Sequence, residues 1–205
     1  MKISVVDYGA GNLPSVERAL QKLGAESCRV NTPASISAAE VLILPGVGHF
    51  GALIRALDEQ SLRAPLLDAL ERGIPFLGIC LGLHALYDSS EEAPKLRGLR
   101  LLPGRIRALP SEVKLPHMGW NQLHVVRKSR LLDGIDPGVH FYFAHSYAAV
   151  PSLLVDDDNV VATCNHGADF VAVLENGNLC AVQFHPEKSG ACGARVLQNF
   201  LRLAA

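Results

Sequence analysis

A cysteine framed by two glycines is the first feature of this sequence that could do chemistry. The string PFLGICLGLHAL, Pro75–Leu86, is apolar up to Cys80, which lies between Gly78 and Gly82. The pattern predicts a buried strand before the cysteine and an apolar helix over Leu81–Tyr87 after it. A turn this tight has no space for flanking side chains, as in the G-x-S-x-G elbow. Because a helix N-terminus stabilises a thiolate, the string indicates a nucleophile, although an inert buried cysteine fits it equally well.

A second string, AVQFHPEKSG, contains the base that such a nucleophile needs. An apolar strand ends there in His185, Pro186 and Glu187. Pro186 favours extended backbone at His185, and in an extended chain residues two apart point the same way, so the imidazole and the carboxylate can lie side by side. A base of this kind is oriented by an acid that fixes its tautomer. We therefore predict a catalytic triad of Cys80, His185 and Glu187.

A glycine-rich string, PGVGHFG, follows another buried strand. In an open parallel sheet such a loop lies at the carboxyl edge, where these folds bind ligands. Its glycines let backbone N–H groups turn toward a developing oxyanion, and we expect the two donors to be the N–H groups of Val47 and Leu81. An ordinary Gly/Pro turn is the alternative. A phosphate loop is disfavoured, because neither the Walker spacing nor G-x-G-x-x-G is present.

The first half of the chain alternates strands with amphipathic helices. The predicted strands are Lys2–Val6, Glu26–Val30, Glu40–Leu44 and the segment before Cys80. The predicted helices are Leu13–Leu23 and a region over Phe50–Arg72 that is broken near Ser61 and Pro65. This alternation predicts an α/β fold with a doubly wound, mostly parallel central sheet.

The second half changes character, because helix signals are weak between Ser89 and Asp136. Strand-like runs follow one another there: Leu99–Leu102, Leu123–Arg127, His140–Val150, Val160–Cys164, Phe170–Glu175 and Leu179–His185. The pair Asn176-Gly177 predicts a tight hairpin between the last two runs. We expect antiparallel strands to be added to the sheet in this half and an amphipathic helix, Ala191–Ala204, to close the chain.

Composition excludes several classes of function. With 205 residues, 49% of them hydrophobic, the chain can bury a core, and we expect one domain over residues 1–205. A net charge of -1 with scattered Lys and Arg argues against nucleic-acid or anionic-lipid partners. No signal-peptide pattern or membrane-length apolar run occurs, so we expect a cytoplasmic protein. The odd set of five cysteines without C-x-x-C argues against a disulfide framework and a zinc site, and no metal or cofactor is expected.

The strings P-G-V-G, G-I-C-L-G and Q-F-H-P-E, in that order, resemble the class I (triad) glutamine amidotransferases, and the likeness runs over nearly the whole chain. The resemblance implies a flavodoxin-like sheet and a reaction in which Cys80 attacks the carboxamide of L-glutamine. His185 would pass the proton to the departing ammonia, and water would hydrolyse the γ-glutamyl thioester. It also implies substrate contacts at Gly46, Gly48, Ser146 and Tyr147.

One position departs from the pattern of that family. Where its members usually have a substrate-holding glutamine, four residues after the cysteine, this chain has His84. Since histidine can still donate or accept a hydrogen bond, we expect weakened or re-routed glutamine binding rather than a dead enzyme. A glutamine KM unchanged by His84→Gln would refute the weakened binding.

Further strings resemble one branch of the family, the glutaminase subunits that serve histidine biosynthesis. They are ISVVDYGAGNLPSV at the start, PHMGWN, FYFAHSY and FHPEKS. The resemblance implies a separate (β/α)₈-barrel cyclase that receives ammonia through an internal channel, with the two proteins forming a heterodimer. The docking surface would include Asn12, Met118, Trp120, Tyr142 and Lys188. Trp120 could equally lie in the core, and Lys188 could pair with an acid on the partner or remain a solvated lysine.

Two rival functions stay open at this point. A glutaminase for a purine, pyridoxal phosphate or nucleotide-sugar synthase would keep the triad and change the acceptor of ammonia, but PHMGW and DYGAGN argue against it. A non-catalytic regulator could use Cys80 as an oxidation sensor. The presence of His185 and Glu187 disfavours that reading, because a sensor needs neither a base nor its orienting acid.

Overall fold

A computed structural model describes residues 2–150 and 158–204 of the chain. The part up to the predicted nucleophile alternates strands and helices: β1 (Ile3–Val6), α1 (Leu13–Lys22), β2 (Ser27–Val30), α2 (Pro33–Ser37), β3 (Val41–Gly46), α3 (Phe50–Glu59), α4 (Arg63–Glu71), β4 (Phe76–Cys80) and α5 (Leu81–His84). In the described ranges, no helix is both long and apolar enough to cross a bilayer.

The part after α5 is mostly strand. It contains β5 (Tyr87–Ser90), β6 (Leu102–Ala108), β7 (His117–Gln122), β8 (His124–Val125), β9 (His140–His145), β10 (Tyr147–Ala149), β11 (Val160–Asn165), β12 (Asp169–Asn176) and β13 (Leu179–Val182). A 3₁₀ turn, Pro186–Lys188, and the helix α6, Gly190–Leu203, follow. The predicted run His140–Val150 is wrong as a single strand of the main sheet: β9 pairs with β7 in a two-stranded sheet, and β10 pairs with β6 in the three-stranded sheet β10-β6-β5. Residues 151–157 lie outside the described residues.

Among the described residues, eight strands form the central sheet in the order β2-β1-β3-β4-β13-β12-β11-β8. The strands from β2 to β13 in that order are parallel, and β12, β11 and β8 are added antiparallel. The order 2-1-3-4 followed by one more parallel strand is that of flavodoxin-like sheets. The predicted fold class, mostly parallel with antiparallel strands in the C-terminal half, is therefore confirmed.

The parallel strands are continuous apolar runs because both of their faces are covered. Every residue of β1, β3 and β4 is buried. One core cluster lies on the α1 and α6 side of the sheet and includes Leu20 and Phe200. The other lies on the side of α3 and α4 and includes Phe50 and Leu66. The strand ends that carry the predicted site are thus held between two packed layers.

The helix after Cys80 is shorter than predicted, since it ends at His84 rather than Tyr87. The reason is a competition for carbonyl groups. The backbone N–H of Leu99 donates to the carbonyl of Ala85 at 2.7 Å, and the N–H of Leu101 donates to that of Leu86 at 2.9 Å. The following loop therefore takes the acceptors that would have continued the helix, and the chain enters β5 instead.

Other helix and turn boundaries can also be compared with the prediction. The break near Ser61 is confirmed, with Ser61 at φ +56°, but Pro65 lies inside the first turn of α4, where its missing N–H costs nothing. The short helix α2 was missed; Thr32 caps it. The hairpin between β12 and β13 is present, with Gly177 at φ +57° in its turn.

Three further predicted strand bounds were wrong. Of the run Leu123–Arg127 only His124–Val125 is strand, as β8. Of the run Leu99–Leu102 only Leu102 is strand, as the first residue of β6. The N–H groups of Leu99 and Leu101 are instead bonded to the carbonyls that follow α5. Strand β13 ends at Val182, short of the predicted His185. Beyond it the backbone N–H of His185 donates to the carbonyl of Tyr142 in β9 at 2.8 Å. This contact, rather than the central sheet, sets the position of His185.

Candidate active site

Cys80 occupies a strained backbone position at the junction of β4 and α5. Its φ of +53° and ψ of −104° are rare for a residue with a side chain. In the sheet register it lies opposite Gly46, the last residue of β3. Such strain persists only where the surrounding structure enforces it, and it is concentrated at functional sites. This turn places the Cys80 thiol at the end of the buried strand β4.

Close packing of backbone on backbone enforces this turn. A Cβ added to Gly82 would overlap the carbonyl oxygen of Leu44, and one added to Gly78 would lie 2.9 Å from the backbone of Gly82. A Cβ on Gly46 would lie 2.6 Å from the Cβ of Leu81. The glycines around the cysteine are therefore required by the approach of β3 and α5, as the sequence predicted.

His185 and Glu187 form a buried pair. The Nδ1 atom of His185 lies 2.9 Å from Oε1 of Glu187, and their side chains are 2% and 1% exposed. His185 is extended, with φ −99° and ψ 97°, but Glu187 lies in the 3₁₀ turn Pro186–Lys188, so the two side chains meet at the start of that turn and not along an extended segment as predicted. The hydroxyl of Ser189 donates to the carbonyl of His185 at 2.7 Å and accepts the N–H of Tyr142 at 2.9 Å. The pair is thus fixed by β9 and by the start of α6.

The electrostatics of the three predicted triad members are coupled. Burial lowers the pKa of His185, but hydrogen bonds and negative charge from Cys80 and Glu187 outweigh it and raise that pKa to about 10. A protonated histidine beside a cysteine favours the thiolate. Burial raises the pKa of the Cys164 and Cys180 thiols to about 12. Those thiols stay protonated at neutral pH.

A cavity of about 510 Å³ opens over this group. Its lining brings together most of the residues that the sequence suggested: Asn12, Val47, Gly48, Cys80, Leu81, His84, Met118, Ser146, Tyr147, His185 and Lys188. Three others lie behind or beside the lining. Glu187 contacts Nδ1 of His185, Gly46 packs on Leu81, and the carbonyl of Tyr142 accepts the backbone N–H of His185.

An exposed aromatic group lies near the mouth of the cavity. Met118 is 65% exposed and Trp120 is 56% exposed, on the same face of β7. The Trp120 ring packs edge-on against Tyr142, with 6.0 Å between ring centroids, and the Nζ atom of Lys188 lies 5.6 Å from the Tyr142 ring centroid. The alternative that Trp120 is a core residue is therefore wrong.

Sequence reasoning missed several residues that line or support the cavity. Gln183 lies within the Q-F-H-P-E string but received no role; its Nε2 atom is 3.6 Å from the Cys80 sulfur. Glu92 lines the cavity and accepts the N–H of Phe50 at 2.6 Å, at the start of α3. The string could have suggested Gln183. Nothing local marks Glu92, because only the packing of the segment after β5 against the start of α3 brings it there.

Two buried histidines beside the cavity form a fixed chain of hydrogen bonds. Nδ1 of His145 donates to the carbonyl of Tyr147 at 2.9 Å, so its Nε2 accepts from Nδ1 of His117 at 3.1 Å. Nε2 of His117 in turn accepts from the amide of Asn121 at 3.2 Å. Burial lowers the pKa of His145 to about 3 and that of His117 to about 4. Both rings are therefore neutral, each as a single tautomer.

We expect the free energy of unfolding to fall as the pH drops from 7 to 5. Below the ordinary histidine pKa of about 6.5 the unfolded chain binds protons that buried His145, His117 and His84 do not, so stability is lost toward their lowered pKa values. His145 alone would contribute about 2 kcal/mol at pH 5. The raised pKa of His185 has the opposite effect: its stabilisation is fully present below pH 6.5 and is lost as the pH rises toward 10.

Urea unfolding at pH 7, 6 and 5 measures this dependence. His145→Gln should flatten the slope of unfolding free energy against pH, whereas the same change at the exposed His140 should leave the slope as it is in the wild type. A wild-type stability that stays constant from pH 7 to pH 5 would contradict the expectation.

The fold and the site together have the arrangement of α/β enzymes that use a cysteine, a histidine and a carboxylate for nucleophilic catalysis. A family model described as glutamine amidotransferase class-I matches residues 4–204. The chain therefore belongs to the class-I glutamine amidotransferases.

Relatives refine this assignment. The chain is 47% identical over 201 residues to the imidazole glycerol phosphate synthase subunit HisH of Methanothermobacter thermautotrophicus, covering 98% of each. This likeness makes it a member of the HisH group within the class-I family. It is also 43% identical over 204 residues to the chloroplastic imidazole glycerol phosphate synthase hisHF of Arabidopsis thaliana, covering 97% of this chain and 34% of that protein.

A likeness to solved structures agrees on the fold. The chain matches the structure of PurLQS from Thermotoga maritima with a TM-score of 0.77 and 24% identity, covering 98% of this chain and 97% of that one. At that identity the comparison concerns the fold alone.

Proposed function

We propose that this protein hydrolyses L-glutamine to glutamate and ammonia through a triad of Cys80, His185 and Glu187. The observation that carries the proposal is the buried His185–Glu187 pair, 2.9 Å from nitrogen to oxygen, beside a cysteine held at φ +53°. Membership of the class-I glutamine amidotransferases supports the choice of glutamine.

In the proposed first half-reaction the Cys80 thiolate attacks the carboxamide carbon, and a C–S bond forms. The raised pKa of His185 keeps its proton available for the departing nitrogen, which leaves as ammonia as the C–N bond breaks. Neutral His185 then takes a proton from water, and the resulting hydroxide attacks the γ-glutamyl thioester. Glutamate leaves, and the thiolate and the protonated imidazole are restored. Glu187 keeps the histidine in the required tautomer throughout.

The tetrahedral intermediates need hydrogen-bond donors for their oxyanion. We assign this role to the backbone N–H groups of Val47 and Leu81, which both line the cavity with Cys80. Gly48, at φ +94°, lets the loop after β3 adopt the turn that this role requires. We assign the binding of glutamine to Gly46, Gly48, His84, Ser146 and Tyr147.

Released ammonia must reach a synthase before it is protonated and lost to water. We propose that the partner is the (β/α)₈-barrel cyclase subunit of imidazole glycerol phosphate synthase, a lyase that makes imidazole glycerol phosphate and aminoimidazole carboxamide ribotide in histidine biosynthesis. The names of the HisH relatives support this choice. So does hisHF, of which this chain matches only 34%. The two proteins would form a cytoplasmic heterodimer in which this chain is a single glutaminase domain.

The docking face would cover the mouth of the cavity. Exposed Met118 and Trp120 present the apolar surface that an interface core requires, and Asn12, Tyr142 and Lys188 surround it. Lys188 lies next to the triad and would pair with an acid on the cyclase. Docking there would close the cavity against water while leaving a path for ammonia into the barrel.

Mixing the protein with candidate synthases tests the choice of partner. Glutamate release should rise when the histidine-pathway cyclase and its phosphoribulosyl formimino-carboxamide nucleotide are both added. Stimulation by a pyridoxal phosphate synthase instead would defeat the proposal. Failure to release glutamate with any partner would favour a non-catalytic role for Cys80.

A further inference from the structure

Gln183 and His84 form a second chain of hydrogen bonds, which ends at the sulfur of Cys80. The side-chain nitrogen of Gln183 lies 3.6 Å from Sγ of Cys80, and its oxygen lies 2.7 Å from Nε2 of His84. Gln183 is fully buried, and His84 and Cys80 are 3% and 5% exposed. Water has almost no access to these three side chains, so their polar atoms must form hydrogen bonds with one another.

The backbone fixes both ends of the chain. Gln183 directly follows β13, and its N–H donates to the carbonyl of Ala172 in β12 at 2.9 Å. His84 is the last residue of α5, one turn after Cys80. The amide is therefore held between the end of one parallel strand and the short helix that follows its neighbour, β4.

The polarity of the chain follows from the sulfur. A buried thiolate accepts hydrogen bonds, so the Gln183 amide must present its NH₂ group to Cys80 and its oxygen to His84. That oxygen can only accept, which requires the proton of His84 to be on Nε2. Burial lowers the pKa of His84 to about 4, so the ring is neutral and Nδ1 carries no proton. Among the described residues Nδ1 has no hydrogen-bond partner.

The opposite arrangement is disfavoured twice. If the amide were reversed, its oxygen would face the negative sulfur, and its NH₂ group would face Nε2 of His84. The proton of the neutral ring would then lie on Nδ1, where a buried N–H would have no acceptor in the described part of the chain. An unpaired buried donor and a repulsive contact both cost free energy, whereas the first arrangement leaves only one acceptor nitrogen unpaired.

We propose that Gln183 is a fourth catalytic side chain, which donates a hydrogen bond to the Cys80 sulfur, and that His84 is the positioning residue that fixes its amide orientation. The proposal rests on the glutaminase function proposed above. His185 gives its proton to the leaving nitrogen, but the N–H of Gln183 cannot be transferred. Gln183 therefore stabilises the sulfur anion both before attack and again when the thioester breaks.

Alkylation of Cys80 by iodoacetamide, followed by peptide mass spectrometry between pH 5 and 10, reads this hydrogen bond without glutamine or a partner. Gln183→Leu and His84→Leu should each move the midpoint of the alkylation rate about one unit to higher pH and slow alkylation at pH 7 roughly tenfold. His84→Gln should keep the wild-type midpoint, because a glutamine can donate to the same oxygen. Alkylation of the half-buried Cys192 in the same digests controls for the reagent.

The two leucine variants act on different members of the chain, so His84→Leu serves if Gln183→Leu does not fold. A folded leucine variant with the wild-type midpoint, whether or not it is less stable, would overturn the proposal by making the contact structural only. A raised glutamine KM without a shifted midpoint would likewise confine His84 to substrate binding. If no form of the protein released glutamate, the proposed function would fail while the alkylation result still decided the role of Gln183.

Discussion

Replacing Cys80 by alanine is expected to lower glutamate release by about 10⁴-fold or more, measured with the cyclase and its nucleotide present. The other groups of the cavity can still bind glutamine, but without the sulfur no thioester can form. Alanine is smaller and apolar, and a strained φ of +53° is no worse for it than for cysteine. The variant should therefore fold, and its loss should lie in kcat rather than in stability.

Two controls make this loss specific. Cys28→Ala removes a half-buried thiol on the edge strand β2 and should leave glutamate release within about twofold of the wild type. A complex containing Cys80→Ala should still allow the cyclase to use added ammonium salts, because the partner site is intact. Residual glutamine hydrolysis close to the wild-type rate would assign the nucleophile to another residue.

The nucleophile and its base could be predicted because each is a local arrangement. The glycines at 78 and 82 are required by backbone contacts within a few residues of Cys80 and with the neighbouring strand β3. His185 and Glu187 are two residues apart, so their contact is local, although the 3₁₀ turn Pro186–Lys188 and not the predicted extended segment brings their side chains together. A site formed by residues close in sequence can be predicted even where the rest of the fold is predicted wrongly.

The parts that could not be predicted depend on distant segments. Gln183 and His84 are 99 residues apart in sequence, and their contact exists only because β13 is inserted next to β4. The early end of α5 likewise arises from the loop before β6, which takes the carbonyls of Ala85 and Leu86. Neither local propensity nor hydrophobic periodicity contains this information, because both describe one segment at a time.

The short helix changes the electrostatic argument at Cys80. The sequence suggested a helix N-terminus as the source of thiolate stabilisation, but α5 has only 4 residues, and its dipole is correspondingly small. The charge of protonated His185, and the amide of Gln183 under the proposal above, would take over that role. Removing the support of His185 should therefore have a large effect on the reaction.

Glu187→Gln is expected to lower kcat/KM for glutamine by about 10²- to 10⁴-fold. The carboxylate accepts from Nδ1 of His185 and raises the pKa of that histidine, together with Cys80, to about 10. A neutral glutamine keeps the shape but removes the negative charge, and its NH₂ group can pair with Nδ1 only when the ring is in the wrong tautomer. The variant should fold, because the change is isosteric and Oε2 of Glu187 has no partner to lose among the described residues, although the NH₂ group placed there is an unpaired buried donor that lowers the stability.

The pH profile distinguishes this electrostatic role from a loss of packing. Because the active pair is a thiolate beside a protonated imidazole, the alkaline limb of kcat/KM reports the deprotonation of His185. Without the charge of Glu187 the pKa of His185 falls, so the alkaline limb should move to lower pH, as well as the rate decreasing. Glu40→Gln, at an exposed position, removes the same charge and should move neither. An alkaline limb that stays at its wild-type pH in Glu187→Gln would mean that Glu187 holds His185 in place without tuning its proton.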